Sequence, residues 1–196
     1  KFVADAPSLF RMMAVPSPPE IAGQMLLNGQ TEFGHHLETL ENLDAQAKAI
    51  GIQIGLMPTL KSLYFAVHNR KAPTDDIHFR QAMAYAIDYD GLLALTWPGI
   101  KQMHGPVPAA LFGHDPEVFT YRRDMQKARE ALSKSRYAGE LDRYTVEIYW
   151  VSEAAFEERF ALLFKANMAE LGITVQPVKV AWKDAIKATA SMDTSP

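Results

Sequence analysis

Residues 144–180 read YTVEIYWVSEAAFEERFALLFKANMAELGITVQPVKV, and three periodicities follow one another along them. In the first, Tyr144, Val146, Ile148 and Trp150 alternate with Thr145, Glu147 and Tyr149, the period of two that marks a strand with one face buried. Tyr149 and Val151 make the second face less polar than a fully solvated one. Next, Phe156, Phe160, Leu163, Phe164, Met168 and Leu171 recur at helical spacing, and Gly172 ends the helix. In the third, Ile173, Val175, Val178 and Val180 form another strand whose alternation slips phase at Pro177, which predicts an edge position or a bulge there. Strand, helix, strand is a βαβ unit, so the chain reads as α/β.

Working outward toward the N-terminus, Asp124 can cap a helix with Ala128, Ala131 and Leu132 inward, running out near Tyr137-Ala138-Gly139. Before it, Lys101 to Thr120 holds Gly105, Pro106, Pro108 and Gly113 and is expected to be an extended loop, of a length usually functional or packed as its own unit. Asp75 and Asp76 supply a cap and favourable charge for a helix with Phe79, Met83, Ala86 and Ile87 on one face. Gly91 interrupts that pattern, and Leu92, Leu93, Leu95 and Trp97 suggest a short buried second helix ended by Pro98-Gly99. Leu63 to Val67 has strand composition. A helix is expected over Leu40 to Ile50. A helix capped by Ser17 and stopped at Asn28-Gly29 follows a short strand at Leu9 to Val15.

Composition narrows the function. Of 196 residues, 48% are hydrophobic and 22% charged, the make-up of an ordinary globular polypeptide. The formal net charge of -3 supplies no field that would draw nucleic acid or an anionic membrane, so no nucleic-acid partner is expected. No apolar run approaches the ~20 residues of a membrane helix. The absence of Cys removes disulfides, thiolate metal sites and Cys nucleophiles together. There is no G-x-S-x-G and no phosphate-binding G-x-x-x-x-G-K, so catalysis has no positive support. His35-His36 are adjacent, and His68, His78, His104 and His114 stand singly, without metal-ligand spacing; neither a metal site nor a cofactor is expected. The chain opens on Lys1-Phe2-Val3 with neither Met nor an export signal, and is expected to be a segment of something longer.

Several motifs occur in order along this framework: Asn69, Lys71, Pro73, Thr74, Asp76, Phe79, Arg80, Ala82 and Ala86-Ile87-Asp88; then Gly99 and Pro106-Val107-Pro108; then Tyr121, Asp124, Lys127-Ala128 and Leu132; then Leu171-Gly172-Ile173-Thr174-Val175. Upstream, Leu27-Asn28-Gly29 through Glu32-Phe33 continues the series, with Glu32 where Asp is common. In this order they resemble the peptide/nickel type (family 5) of extracellular solute-binding protein that serves ABC transporters. Ser135-Arg136-Tyr137 departs from the family, which usually has glycine before the aromatic.

The resemblance implies a periplasmic-binding-protein-like α/β lobe, a mixed sheet flanked by helices. Residues 1–58 would be the end of a first lobe with its connection, and 59–196 most of a second. It implies capture of a peptide or similar small solute between two lobes and delivery to an ABC membrane permease, outside the cell or in the periplasm. The partners implied are therefore the ligand, the permease and the remaining lobe. The family's usual principal ligand anchors have no counterpart in this chain. Two other readings stand beside this one: a solute-sensing module of a cytosolic transcription regulator, and an α/β enzyme domain using Asp and His.

Ligands of α/β sheets sit beyond the carboxyl ends of parallel strands, near the amino ends of following helices. This places Ser152, Glu153 and Glu157 at a candidate cleft after the strand ending at Val151. Tyr64 and His68 share one face of the earlier extended segment by the period of two. The alternative for each is structural: Glu153 as a complement to the helix dipole, Tyr64 as a core residue. Asp75-Asp76 are read as helix caps, and Arg80 and Asp88 as charges that pin neighbouring loops.

Overall fold

A computed structural model of the chain describes residues 19–31, 40–55, 60, 62–96, 99–154 and 156–190. The chain divides into two compact units, Lys1–Gly55 and Leu56–Pro196. The strand expected at Leu9 to Val15, the Ser17 cap and His35-His36 lie outside the described residues.

In the first unit, helix α1 (Pro19–Leu27) packs on helix α2 (Leu40–Ala49), with Leu26 and Ala47 buried. Gly29 ends α1 as expected: its φ of 68° lets the Gln30 amide turn back to the Met25 carbonyl at 2.9 Å, a conformation costly for a residue with a Cβ.

The second unit contains α3 (Ile77–Ala86), α4 (Tyr89–Ala94), α5 (Met125–Ser133), β1 (Thr145–Val151), α6 (Phe156–Ala169), β2 (Thr174–Val180) and α7 (Trp182–Thr189). β1 and β2 pair in parallel from Thr145↔Thr174 to Val151↔Val180 without a break, and α6 is the crossover. The α/β reading holds. Every strand pair among the described residues is parallel, so the antiparallel member of a mixed sheet is not among them.

Pro177 causes no bulge. The Ser152 amide donates to the Val180 carbonyl at 2.8 Å, and alternate residues of a strand turn N–H and C=O to the same side. Val178, Gln176 and Thr174 therefore face β1, while Pro177 faces away and its missing N–H removes no bond from the ladder.

The core forms where α3 lies on α5 and where α6 packs on β1, β2 and α3. Phe79, Ala82, Met83 and Ala86 of α3 meet Ala128, Ala131 and Leu132 of α5, with Phe164, Met168, Leu171, Ile173 and Val175 completing the cluster. The small alanines on α3 and α5 bring the two helix backbones close, and Phe79 and Met168 fill the remaining volume. On α6 the buried positions are Ala161, Phe164, Asn167 and Met168. The start of the expected apolar stripe is only half-buried, with Phe156 and Phe160 stacked edge to face at 5.7 Å.

Three aspartates start three helices. Asp76 accepts from the Phe79 amide at 2.9 Å, Asp88 from Gly91 at 3.0 Å and Asp124 from Lys127 at 3.0 Å. The Asp88 cap revises the expectation that Gly91 interrupts a helix and that a buried one follows. α4 starts before Gly91 and has no fully buried residue. Glycine is required there because a Cβ would lie 2.5 Å from the Asp88 carboxylate and 3.3 Å from Leu163. α5 also ends earlier than expected, at Ser133. Ser135 then accepts from the Tyr137 amide at 3.2 Å, serving a turn where the family usually has glycine.

Leu63 to Val67 forms neither a helix nor a paired strand among the described residues. Composition of strand type needs a neighbouring edge before it can form a ladder. Phe65 anchors the segment instead, its ring 5.0 Å from that of Phe164.

Candidate functional site

The carboxyl end of β1 turns sharply into α6, and the turn is held by its own acids. Ala154 donates back to the Val151 carbonyl at 2.9 Å, and Glu157, in the first turn of α6, accepts from the Val151 amide at 2.8 Å. The Ser152 hydroxyl donates to Glu153 Oε2 at 2.7 Å, and the same oxygen accepts from the Trp182 amide at 3.1 Å. Trp182 opens α7, whose N-cap residue, Ala181, has no side-chain acceptor. Glu153 supplies one from 29 residues away and so ties the end of β1 to the helix that follows β2.

The structure thus brings Ser152, Glu153 and Glu157 together at the carboxyl end of the parallel pair. The structural alternative for Glu153, a complement to the dipole of α6, is revised: its carboxylate serves α7. Hydrogen bonds from Ser152 and from Trp182, with Lys183 nearby, hold the Glu153 carboxyl below the usual carboxylate range. Both bonds fall on Oε2, so the group stays ionised at neutral pH on an exposed surface.

Tyr64 and His68 belong to a different setting. Tyr64 is 82% exposed, which sets aside the core reading for it. The His68 carbonyl accepts from the Thr74 hydroxyl at 2.6 Å and its Nδ1 from the Arg70 amide at 3.1 Å, so His68 is built into the turn that leads to α3.

Sequence reading missed Trp182. It is 59% exposed at the position where the strand-end rule places ligand contacts, immediately after β2. The signal was present: the rule applied to the end of the second strand as well as the first. Asn167 was missed as well. It is 4% exposed, and its Oδ1 accepts from the Asp88 amide at 2.9 Å, joining α6 to the junction of α3 and α4. A buried asparagine inside an apolar stripe is the trace it leaves in the sequence.

Of the two acids read as helix caps, Asp76 caps α3 and Asp75 does not. Asp75 accepts from the Tyr137 hydroxyl at 2.7 Å and pairs with Arg136. Burial raises the Asp76 carboxyl, but the amides of Phe79, Arg136 and His78 outweigh that and lower it overall. Arg80 donates to the Thr74 carbonyl at 2.7 Å, and Asp88 lies 3.6 Å from Arg123, which also binds Glu170 at 2.6 Å. Among the described residues no group of three or more His, Asp or Glu is placed to hold a metal ion, and no helix is long and apolar enough to cross a membrane.

A βαβ unit with helices packed against it is the layering of a periplasmic-binding-protein-like α/β lobe. The chain belongs to the bacterial extracellular solute-binding proteins, family 5, whose middle region matches residues 8–194. Among its curated relatives, heme-binding protein A of Haemophilus influenzae is 28% identical over 128 residues, covering 64% of this chain and 23% of that protein. A probable D,D-dipeptide-binding periplasmic protein of Escherichia coli is 27% identical over 150 residues, covering 72% and 27%. The chain therefore spans about a quarter of the length of these relatives. Of solved structures, the ABC transporter substrate-binding protein CtaP of Listeria monocytogenes superposes with a TM-score of 0.70 at 18% identity, covering 88% of this chain and 35% of that one. The oligopeptide-binding protein AppA of Bacillus subtilis does so with a TM-score of 0.67 at 14% identity, covering 87% and 36%. These two likenesses support the fold. Family and relatives are solute-binding proteins rather than enzymes.

Proposed function

We propose that this chain is part of the substrate-binding component of an ABC importer, working in the periplasm or outside the cell, which captures a peptide or similar small solute between two lobes and delivers it to a membrane permease. Residues 59–196 would form most of one lobe, and 1–58 the end of the other with its connection. The observation that carries the reading is the rim at the carboxyl end of β1 and β2, where Ser152, Glu153 and the exposed Trp182 converge on an open surface. An ionised carboxylate bound to the backbone amide of a residue with an exposed indole suits a peptide, whose amino group the charge would attract and whose apolar side chains the ring would cover. Two relatives, a probable D,D-dipeptide-binding and a dipeptide-binding protein of Escherichia coli, favour the same class. Tyr64 and His68 would supply a second group of contacts from the segment before α3.

No bond of the ligand changes in this scheme. The free energy for closure comes from contacts that exist only when both lobes touch the solute, so a single lobe forfeits most of the affinity. Calorimetry of the full-length protein against a set of di- to pentapeptides is the test. Trp182→Ala should weaken binding by about tenfold, as loss of an aromatic anchor does, and Glu153→Gln should weaken peptides with a free amino terminus more than blocked ones. Unchanged affinity in the double variant would remove the ligand from this rim. Micromolar binding by the 196-residue chain alone would contradict the two-lobe scheme.

A further inference from the structure

The segment between α4 and α5 has the length of a functional loop, and its two legs are zipped together rung by rung. Gln102 Nε2 donates to the Tyr121 carbonyl at 2.7 Å, and Thr120 Oγ1 lies 3.2 Å from His104 Nδ1. Further out, Gly105 faces Val118 so closely that a Cβ would sit 3.0 Å from it, and His114 Nδ1 reaches the Val107 carbonyl at 2.8 Å. At the end, the Leu111 amide closes a turn on the Pro108 carbonyl at 2.9 Å. Tyr121 roots the base, edge-on to Tyr85 at 4.9 Å and to Phe119 at 5.0 Å. A loop built this way holds its tip in one arrangement, and that tip presents Leu111 and a fully exposed Phe112.

The geometry points to this zipped loop as a docking knob for a protein partner with an apolar pocket rimmed by basic side chains; on the importer reading above, that partner is the membrane permease. Charge decides the class of partner. From Gln102 to Tyr121 there is no Lys or Arg, while the exposed Asp115 and Glu117 follow the tip on its C-terminal side, Asp115 Oδ1 accepting from the Glu117 amide at 2.9 Å. An anionic lipid surface would repel it, and a second copy meeting it tip to tip would oppose like charges. A pocket that takes Phe112 and offers cations to Asp115 and Glu117 satisfies both features, since a rigid aromatic anchor loses little conformational freedom on docking.

The test is retention of the full-length protein on immobilised nanodiscs carrying its permease, read by surface plasmon resonance. Phe112→Ser should weaken retention by about tenfold or more, and Phe112→Leu should restore most of it. Asp115→Lys with Glu117→Lys should weaken it and remove its loss at raised ionic strength. Melting temperatures should stay at the wild-type value, because none of the three side chains is in the core. Wild-type retention by Phe112→Ser would overturn the proposal, as would equal retention by permease-free nanodiscs of anionic lipid. A Phe112→Cys variant that fails to react with maleimide in the native full-length protein would also overturn it, since another part of the protein would then cover the tip. Calorimetry separates the two readings: peptide binding with unaltered Phe112→Ser retention defeats the knob alone. A wild type that neither binds peptide nor stays on the permease defeats the importer reading and the knob with it.

Discussion

Two acidic clusters in this chain look alike on paper and do different work. Asp75-Asp76 and Glu153 with Glu157 both stand at helix starts, yet the first pair and Glu157 are bound up in their own turns while Glu153 lies on an exposed surface. At Asp75 and Asp76, the carboxylate oxygens go to Tyr137, Arg136 and the amides of Phe79 and Arg136, all around the foot of the α3–α5 core. At Glu153 a single oxygen takes the bonds from Ser152 and Trp182, on an exposed rim. A carboxylate consumed by its own fold makes a scaffold; one anchored through a single oxygen keeps capacity for a guest.

The sharpest way to break this contrast is to damage the scaffold side. Phe164→Ala removes a ring buried between the helices and in contact with Phe65, and should cost about 3–5 kcal/mol in guanidinium denaturation. A much smaller loss would mean that the packed side is not where the stability resides. Asn167→Ala should cost about 1–3 kcal/mol by leaving the Asp88 amide buried without its acceptor. Asp76→Ala should cost about 1 kcal/mol through the α3 cap and leave peptide affinity of the full-length protein untouched; loss of affinity with stability intact would erase the distinction between the clusters.

On the rim the expected effects are smaller. Glu153→Gln should barely move the denaturation midpoint, since the carboxylate is exposed. Acid should reveal its bond to α7 instead. Its folded carboxyl titrates below the ordinary value, so its contribution is complete above that value and disappears as the pH falls through the lowered one. The chemical shift of the Trp182 amide should titrate over that acid interval in the wild type and lose that step in Glu153→Gln. An amide shift that titrates identically in both would remove Glu153 as the α7 cap.

Much of the scaffold was legible because its signals are local. Asp76 and Asp124 each cap an amide three residues on, and a pattern of that reach can be read from the chain directly; Asp88 caps in the same way but was read only as a charge pinning a loop. The alternation in β1 and β2 likewise announces the parallel pair. What escaped depends on distant partners. Asn167 meets Asp88 across 79 residues, and Glu153 meets Trp182 across 29. Leu63 to Val67 has the residues of a strand, but composition cannot supply the second edge. Gly91 was misread for the opposite reason: its lack of a side chain makes room for the Asp88 carboxylate and thereby starts the helix it was expected to interrupt.

The outward turn of Pro177 has an effect on the side of β2 along which no strand pairs among the described residues. Any further chain laid along that side of β2 would meet a backbone nitrogen with no hydrogen to offer, midway along seven residues. A stray polypeptide seeking to extend the ladder would find the seam broken at its centre, which makes this border a poor template for the uncontrolled stacking that exposed strands invite.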